Sequence, residues 1–538
     1  MLELVAVGLL IGLVNFALLE YFNNKEKYSF LMLFNAIAIL FSYTFLKTPF
    51  IKSIVQVVSS FTIALLLFII LNINTSSSKE NLSKKKYTGD PIILYTTDKK
   101  QVKYFNPLNN FLIYGGQNAG KTSSIGKPVL LDYLRLGYST FTYDAKEFDY
   151  AKTLYGYYTK ERPNANYYYA NFNDPNRSHR FNPIKPKLFS RITQFTEVNI
   201  QFLKSINGVK GKDDIWFKAA SGLYNGISYI FYKYFPEMCT IPHITNFFLQ
   251  RDTEDIMKFL EMDDIAKGYA SSIFKGKDSK NTIGSVMFSL SGFLGPLASD
   301  PIISYILSGD DFDFNFVDPE KPLSFSLSSS SQVSATLSPI MGALVNISAK
   351  QFTKDNTNKF LYCLDEATTF EIPGFEGLPS LLRESNVAFM MLTQSASKIE
   401  KVYGKLDLNS IHSNFDIKMF GKTGDTNASR MYQQLFEKVY NKYVSESKNT
   451  GSHSSSEGET TSYKKEFKYE TDFFTKLEPG EFVGVGGTSN YIDFHKRFKM
   501  YDKRYDMEPK ITTPTILTNK ILEEHHYNLI NEVKSLTI

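Results

Sequence analysis

Gly115, four intervening residues and then Gly120-Lys121-Thr122 fit the spacing G-x-x-x-x-G-K-[ST]. That spacing serves phosphate binding. A glycine-rich turn brings several backbone N–H groups toward one point, and a helix opening near Lys121 adds its positive end. Gly115, Gly116, Gln117, Asn118, Ala119, Gly120, Lys121, Thr122 and Ser123 are therefore the candidate nucleotide-binding loop. Lys121 would put a point charge on the β- and γ-phosphates of ATP, and the Thr122 hydroxyl would ligate Mg²⁺. A second constellation lies far downstream, where the apolar run 359–364 ends in Asp365 and Glu366. An apolar strand followed by two acids is a Walker B pattern. Asp365 would hold the Mg²⁺ shell, and Glu366 would orient or polarise the attacking water. Gln394 closes another apolar run, 387–393, where it either senses the γ-phosphate or simply caps a strand. The charged stretch 144–147 also follows a strand-like run, and such a strand end lies beside the nucleotide in an open α/β sheet.

These residues need elements to hold them. The apolar run 110–114 reads as a buried strand leading into the loop. After it, Ile125, Val129, Leu130, Tyr133 and Leu134 have helical spacing, and Pro128 should bend or restart that helix. Residues 91–95, 102–105, 322–327, 415–420 and 481–485 read as further strands, and 138–143 alternates in a β-like way. Ser338-Pro339 reads as N-cap and first helical position of a helix reaching about Phe352. A short helix over 378–384 carries Arg383, which on the residues alone is a surface ion-pair partner. Strands and helices in succession with short joins make an α/β fold with a parallel sheet.

From about residue 186 to 297 the spacing is helical throughout. Phe195, Val198 and Phe202 repeat on one face, as do Trp216, Ala220, Leu223, Ile227, Ile230 and Tyr234, then Ile256, Phe259 and Leu260. This is an all-α insert between two halves of the sheet. Residues 445–462, rich in Ser, Gly, Glu and Thr, read as a mobile surface loop. A terminal helix over 517–536 reads as a docking element or as a packed or solvated end, with His525 and His526 on a solvated surface.

Three apolar stretches, 2–19, 29–46 and 54–73, each approach the ~20 residues that cross a bilayer as a helix. Lys79, Lys84, Lys85 and Lys86 follow the last, which places what comes after in the cytoplasm. The resulting organisation is a transmembrane anchor (1–74), a polar basic linker (75–90), a nucleotide-binding domain in two parts (91–185 and 298–507), the all-α insert (186–297) and a helical tail (508–538). Net charge is +5, which fits nucleic acid or an anionic membrane surface and demonstrates neither. Two distant cysteines, Cys239 and Cys363, exclude a disulfide-stapled secreted fold.

The ordered set of motifs resembles the TraG/TraD-type coupling proteins of type IV secretion and conjugation systems, from the apolar stretches to about residue 500. The resemblance rests on the loop 115–122 with Pro128 after it, Asp144-Ala-Lys-Glu147, Phe181-Asn-Pro183, Trp216, Leu364-Asp-Glu-Ala367, Arg383 and Gln394. The family commonly has Asp-x-Lys-Gly-Glu where this chain lacks the glycine, and an anchor of two spans where this chain has three apolar stretches. The resemblance implies a RecA-like P-loop fold with an all-α inserted domain and N-terminal transmembrane helices, anchored in the inner membrane with the ATPase domain in the cytoplasm. It implies a homo-hexamer around a channel, partnered by secretion channel subunits. The cargo would be single-stranded DNA, a relaxase–DNA complex or an effector protein. It also matches Arg383 to the position from which a neighbouring subunit's arginine reaches the γ-phosphate. Two alternatives are a DNA-pumping motor of another P-loop family and a nucleotide-stabilised scaffold without turnover. Intact Lys121, Thr122, Asp365 and Glu366 count against the scaffold. Lys204, Lys210 and Lys212 in the insert are candidate DNA contacts, each also readable as part of a solvated helix face.

Overall fold

Strand β4 (Phe111–Tyr114) is buried at every position, as an apolar run in a parallel sheet covered on both faces must be. In a computed structural model, which describes residues 81–82, 86–207, 214–276, 279–329, 334–451 and 454–537, it lies inside a ten-stranded sheet. The apolar stretches 2–19, 29–46 and 54–73, most of the linker, and Lys210 and Lys212 lie outside the described residues. Among the described residues no single helix is long and apolar enough to cross a membrane.

The strands flanking β4 are β5 (Ser139–Asp144), β6 (Asn166–Asn171), β7 (Leu323–Ser328), β8 (Phe360–Asp365), β9 (Val387–Thr393), β10 (Ile417–Phe420), β13 (Glu481–Val485) and β14 (Tyr491–Arg497). They are ordered β14-β13-β10-β4-β9-β8-β5-β7-β6. From β10 to β6 every pairing is parallel, and β13 and β14 close the sheet antiparallel. β1 (Asn81–Leu82) is a two-residue strand of the same sheet. β2 (Ile92–Tyr95) and β3 (Gln101–Tyr104) form a separate hairpin.

The sheet divides the core in two. Leu112 and Tyr114 of β4 belong to the cluster that also holds the helical insert, with Tyr114 against Phe420 and Tyr432, while Phe111 and Ile113 belong to the cluster of α1 (Lys127–Arg135) on the other face. Pro128 does restart the helix. A π-helical turn, Lys121–Gly126, gives way to α1 with the proline in its first two positions, where the missing N–H costs nothing. α2 (Asp149–Glu161) follows β5. Eight helices then follow in turn: α3 (Ile192–Asn207), α4 (Ile215–Tyr234), α5 (Ile241–Gln250), α6 (Thr253–Leu260), α7 (Asp264–Tyr269), α8 (Ser271–Lys275), α9 (Lys280–Ala298) and α10 (Pro301–Leu307). The all-helical run thus continues past residue 297.

All six residues of β5 are buried, polar as well as apolar. Part of its polar content is met inside the sheet: Thr142 and Ser326 share a hydroxyl hydrogen bond of 2.7 Å, and Thr140 N donates to Ser324 Oγ at 2.9 Å, while the Thr140 hydroxyl is buried without a partner. Trp216 stands at the rim, 36% exposed, because α4 turns Phe217, Ala220, Leu223 and Tyr224 inward. Helix α11 (Ser334–Ala349) begins before Ser338, with Pro339 inside it. Tertiary contacts override the local signal there. Ser338 Oγ donates to Thr369 O, and Asn346 Nδ2 donates to Pro373 O, which fixes the helix against the loop after β8.

The supposed loop at 445–462 is a two-stranded ribbon, β11 (Val439–Gly451) with β12 (Ser454–Glu466). Each strand's pairing partner is the other half of the stretch, which composition does not reveal. The last helix, α12 (Asn519–Ser535), is docked, one of the readings its pattern left open, and its histidines are not on a solvated surface. Leu522, His526, Leu529 and Val533 are buried, and Arg251 donates to the carbonyls of Val533, Lys534 and Leu536 at its end.

Candidate active site

The glycine loop leaves the C-terminal end of β4 and is pinned on two sides. Gly115 N donates to Thr393 O at the end of β9, and Gly116 N donates to Lys422 O beyond β10. Two glycines fit tightly here, and the second is obligatory. A Cβ on Gly115 would lie 3.0 Å from both Ala119 Cβ and Lys121 Cγ. Gly120 has φ +86°, and a Cβ there would meet Gly480 N at 2.8 Å. Gly480 N itself donates to Ala119 O, so the turn before β13 buttresses the loop. Gln117 and Asn118 at the loop's tip are exposed, Asn118 with positive φ, and Ser123 O accepts from Tyr501 N.

Lys121 is folded into this cradle. Its Nζ donates to Gly115 O at 2.5 Å and lies 4.0 Å from Glu366 Oε2. Burial lowers its pKa, against the pull of Glu366 and Asp365. Thr122 Oγ1 donates to Asp365 Oδ2 at 3.1 Å. Glycine loop and acidic pair, far apart in the chain, therefore meet in one cleft at the C-terminal edge of the sheet.

The acids are held in a costly state. Asp365 Oδ1 and Glu366 Oε1 are buried without a hydrogen-bond partner. Glu366 sits at φ 54°, in the left-handed region. Burial pushes the Asp365 carboxyl up to about 6, with Lys146 pulling it down and Glu366 pushing it up. On the next strand Asp144 is pushed up to about 7, again chiefly by burial and then by Asp149 and Asp365. Its carboxylate accepts from Tyr150 N, Ser328 Oγ and Lys146 N. Asp144 is a site residue to which sequence reasoning gave no role beyond a charged strand end. β5 pairs with β8 through Tyr143 and Leu364, so the acids that end the two strands lie side by side, a juxtaposition that no local pattern announces.

Orphaned buried oxygens on two carboxylates, a hydroxyl and a lysine suit a hard divalent cation that keeps some ligands from a phosphate group. Among the described residues no three His, Cys, Asp or Glu side chains form a metal cage by themselves. Mg²⁺ fits such a partial set, since it is usually bound by one or two carboxylates plus substrate phosphates.

Gln394 is half-buried and directly follows Thr393, whose carbonyl anchors Gly115, so it stands at the mouth of the cleft. Arg383 does not join the group. It is exposed on the turn before β9, where Asn386 O accepts from Phe360 N at the start of β8. β9 has seven residues, so at roughly 3.3 Å each about 20 Å separate its two ends.

Comparison with known proteins identifies a family and a shared fold. The family described as type IV secretory system conjugative DNA transfer matches residues 71–467. No curated protein sequence matches the chain. Among solved structures, the bacterial conjugative coupling protein TrwBΔN70 in its unbound form is similar with a TM-score of 0.55 at 12% identity, covering 82% of this chain and 99% of that one. The plasmid coupling protein TrwB in complex with ADP and Mg²⁺ is similar with a TM-score of 0.53 at 12% identity, covering 77% and 88%. Its complex with the ATP analogue ADPNP gives 0.56 at 12%, covering 76% and 89%. At these identities the likeness is one of fold.

Proposed function

The chain belongs to the type IV secretory system conjugative DNA transfer family, and from that premise we propose that it is a membrane-anchored ATPase. It would couple ATP hydrolysis to delivery of a DNA–protein complex to a secretion channel. The observation that carries this reading is the convergence of Lys121, Thr122, Asp365 and Glu366 in one cleft. That TrwB is found with ADP and Mg²⁺ and with ADPNP supports the same ligands here.

In this reading the loop Gly115–Ser123 receives the phosphates, and Lys121 swings from the Gly115 carbonyl to them. Thr122 and Asp365 would hold Mg²⁺, with the Asp144 carboxyl near Asp365. When bound, Mg²⁺ neutralises charge that develops on the phosphate oxygens. Glu366 orients the water and takes its proton, and Gln394 contacts the γ-phosphate from the end of β9. Arg383 acts on the site of a neighbouring copy in a hexameric ring. The apolar N-terminal stretches anchor the ring in the inner membrane. Family membership favours single-stranded DNA or a relaxase–DNA complex as cargo over an effector protein.

The test is steady-state ATP hydrolysis by the full chain, with and without single-stranded DNA. We expect turnover in wild type, raised by DNA, and none in Lys121→Ala. A wild-type protein that never hydrolyses ATP would be a scaffold.

A further inference from the structure

Glu366, assigned above to the attacking water, stands on an unusual backbone. Successive residues of a strand send their side chains to opposite faces. Asp365 ends β8 with its carboxylate 3.1 Å from the Thr122 hydroxyl, so a regular strand would turn the next acid away from the loop. Glu366 nonetheless brings Oε2 to 4.0 Å from Lys121 Nζ. Its left-handed conformation, φ 54°, breaks the alternation and lets both acids reach one loop. In a glutamate that conformation is strained and persists only where neighbours impose it. Here they do. Thr369 binds the Glu366 carbonyl twice, through its N–H and through its hydroxyl, both at 2.9 Å. Tyr143 OH lies 3.2 Å from Thr369 Oγ1 and 2.9 Å from Ser329 Oγ. Because the Thr369 proton is committed to the carbonyl, Tyr143 donates to Thr369 and accepts from Ser329. The relay runs one way, from the residue after β7 through β5 to the turn after β8. Ser338 Oγ of α11 donates to the Thr369 carbonyl at 2.9 Å, and Ala367 N donates to Leu392 O at 3.3 Å, so the turn is fastened on both sides.

We propose that Thr369 is a positioning residue for ATP hydrolysis. Its hydroxyl, aligned by Tyr143, locks Glu366 in the left-handed conformation that aims the carboxylate at the attacking water. This deepens the functional reading above and rests on it. Thr369 touches no reacting group and acts through Glu366 alone. Without the hydroxyl the N–H bond remains, but the Glu366 carbonyl loses one of its two donors. The turn can then relax toward the alternation of a regular strand, which carries the carboxylate away from the loop.

Substitutions in the full chain test this. Thr369 is exposed, so Thr369→Val, which keeps the shape and removes the hydroxyl, should fold like wild type. Its kcat should fall about three- to tenfold, the rate equivalent of one net hydrogen bond. Its affinity for a fluorescent ATP analogue with Mg²⁺ should not change. Thr369→Ser restores the hydroxyl and should restore kcat. Tyr143→Phe keeps the ring against Phe370 and frees the Thr369 hydroxyl to turn, so kcat should fall in the same direction by a smaller factor. The decisive measurement is non-additivity. In the Glu366→Gln background, adding Thr369→Val should leave the residual turnover as it was. A fall by the same factor there would show Thr369 acting elsewhere and overturn the proposal. So would a Thr369→Val protein with wild-type kcat, or one that loses nucleotide affinity instead. Where wild type hydrolyses ATP and Glu366→Gln is slow, the functional reading stands whatever Thr369 does; a wild type without turnover would sink both.

Discussion

At the scale of single residues the site is a set of charges stored in an uncomfortable state. Glu366→Gln keeps the shape and removes the base. It should still bind ATP while turnover falls about 10²–10⁴-fold, as loss of general-base catalysis does. Single-turnover kinetics would read this, and an unchanged rate would clear Glu366 of that role. The raised Asp144 carboxyl has a consequence for stability. Between its ordinary range near 3.8 and about 7, the folded protein binds more of this group's proton than the unfolded chain. Unfolding free energy from this group therefore falls as pH rises through that window, and its contribution is fully present only at the acid end. Asp144→Asn is neutral throughout. Its melting temperature should gain on wild type as pH goes from 5 to 8, and a pH-independent difference would refute the burial argument. Lys121, Thr122, Asp365 and Glu366 could be read from sequence because the loop spacing and the strand-plus-acids pattern are local. Asp144's perturbation could not, because Asp149 and Asp365 act on it only once β5 and β8 are paired.

At the scale of elements, β4, β8 and β9, buried at every position, announced themselves as apolar runs, and Pro128 marked its helix start, whereas β5 and β7 are as deeply buried behind an alternating pattern. The elements that were misread owe their state to distant partners. α12 has a mixed composition that leaves docking or solvation open until α5 and α10 are set beneath it. His243 Nε2 then meets Glu532 at 2.9 Å, His526 Nδ1 meets Ser304 Oγ at 2.9 Å, and His525 Nε2 faces the Arg180 guanidinium at 3.3 Å. Burial and Arg180 hold His525 down at about 4, and burial lowers His526 against Asp300 and His243 against Glu532. A base whose folded pKa is depressed stabilises the fold fully above its unfolded value and less as pH falls toward the folded one. Docking of α12 should therefore loosen as pH drops from about 6.5 toward 4, opposed only in part by a stronger His243–Glu532 pair. Hydrogen exchange across residues 519–535 should show lower protection at pH 5.5 than at 7.5 after correction for intrinsic rates. Equal protection would mean that the apolar face of Leu522, Leu529 and Val533 carries the docking alone.

At the scale of the whole molecule, one chain gathers Lys121, Thr122, Asp365 and Glu366 at one edge of its sheet and presents Arg383 at the other. Gln394 and Arg383 bracket β9, one at the cleft and one about 20 Å below it, as estimated from the rise per residue. No side chain spans that distance, so if the arginine stabilises transition-state charge it does so for another copy. Arg383 is exposed, as a residue serving a neighbour must be. Complementation tests this directly. Arg383→Ala alone should lose about 10³–10⁵-fold in turnover, the range known for such arginines. Lys121→Ala alone should be inactive. In an equimolar mixture of the two, a site works only where an intact Lys121 meets a neighbour's intact Arg383. Random assembly makes that about one site in four, so activity should return to about a quarter of wild type. An arginine acting within its own chain would leave the mixture as dead as its parts, because no subunit would carry both residues. A surface ion-pair partner would leave Arg383→Ala active from the start.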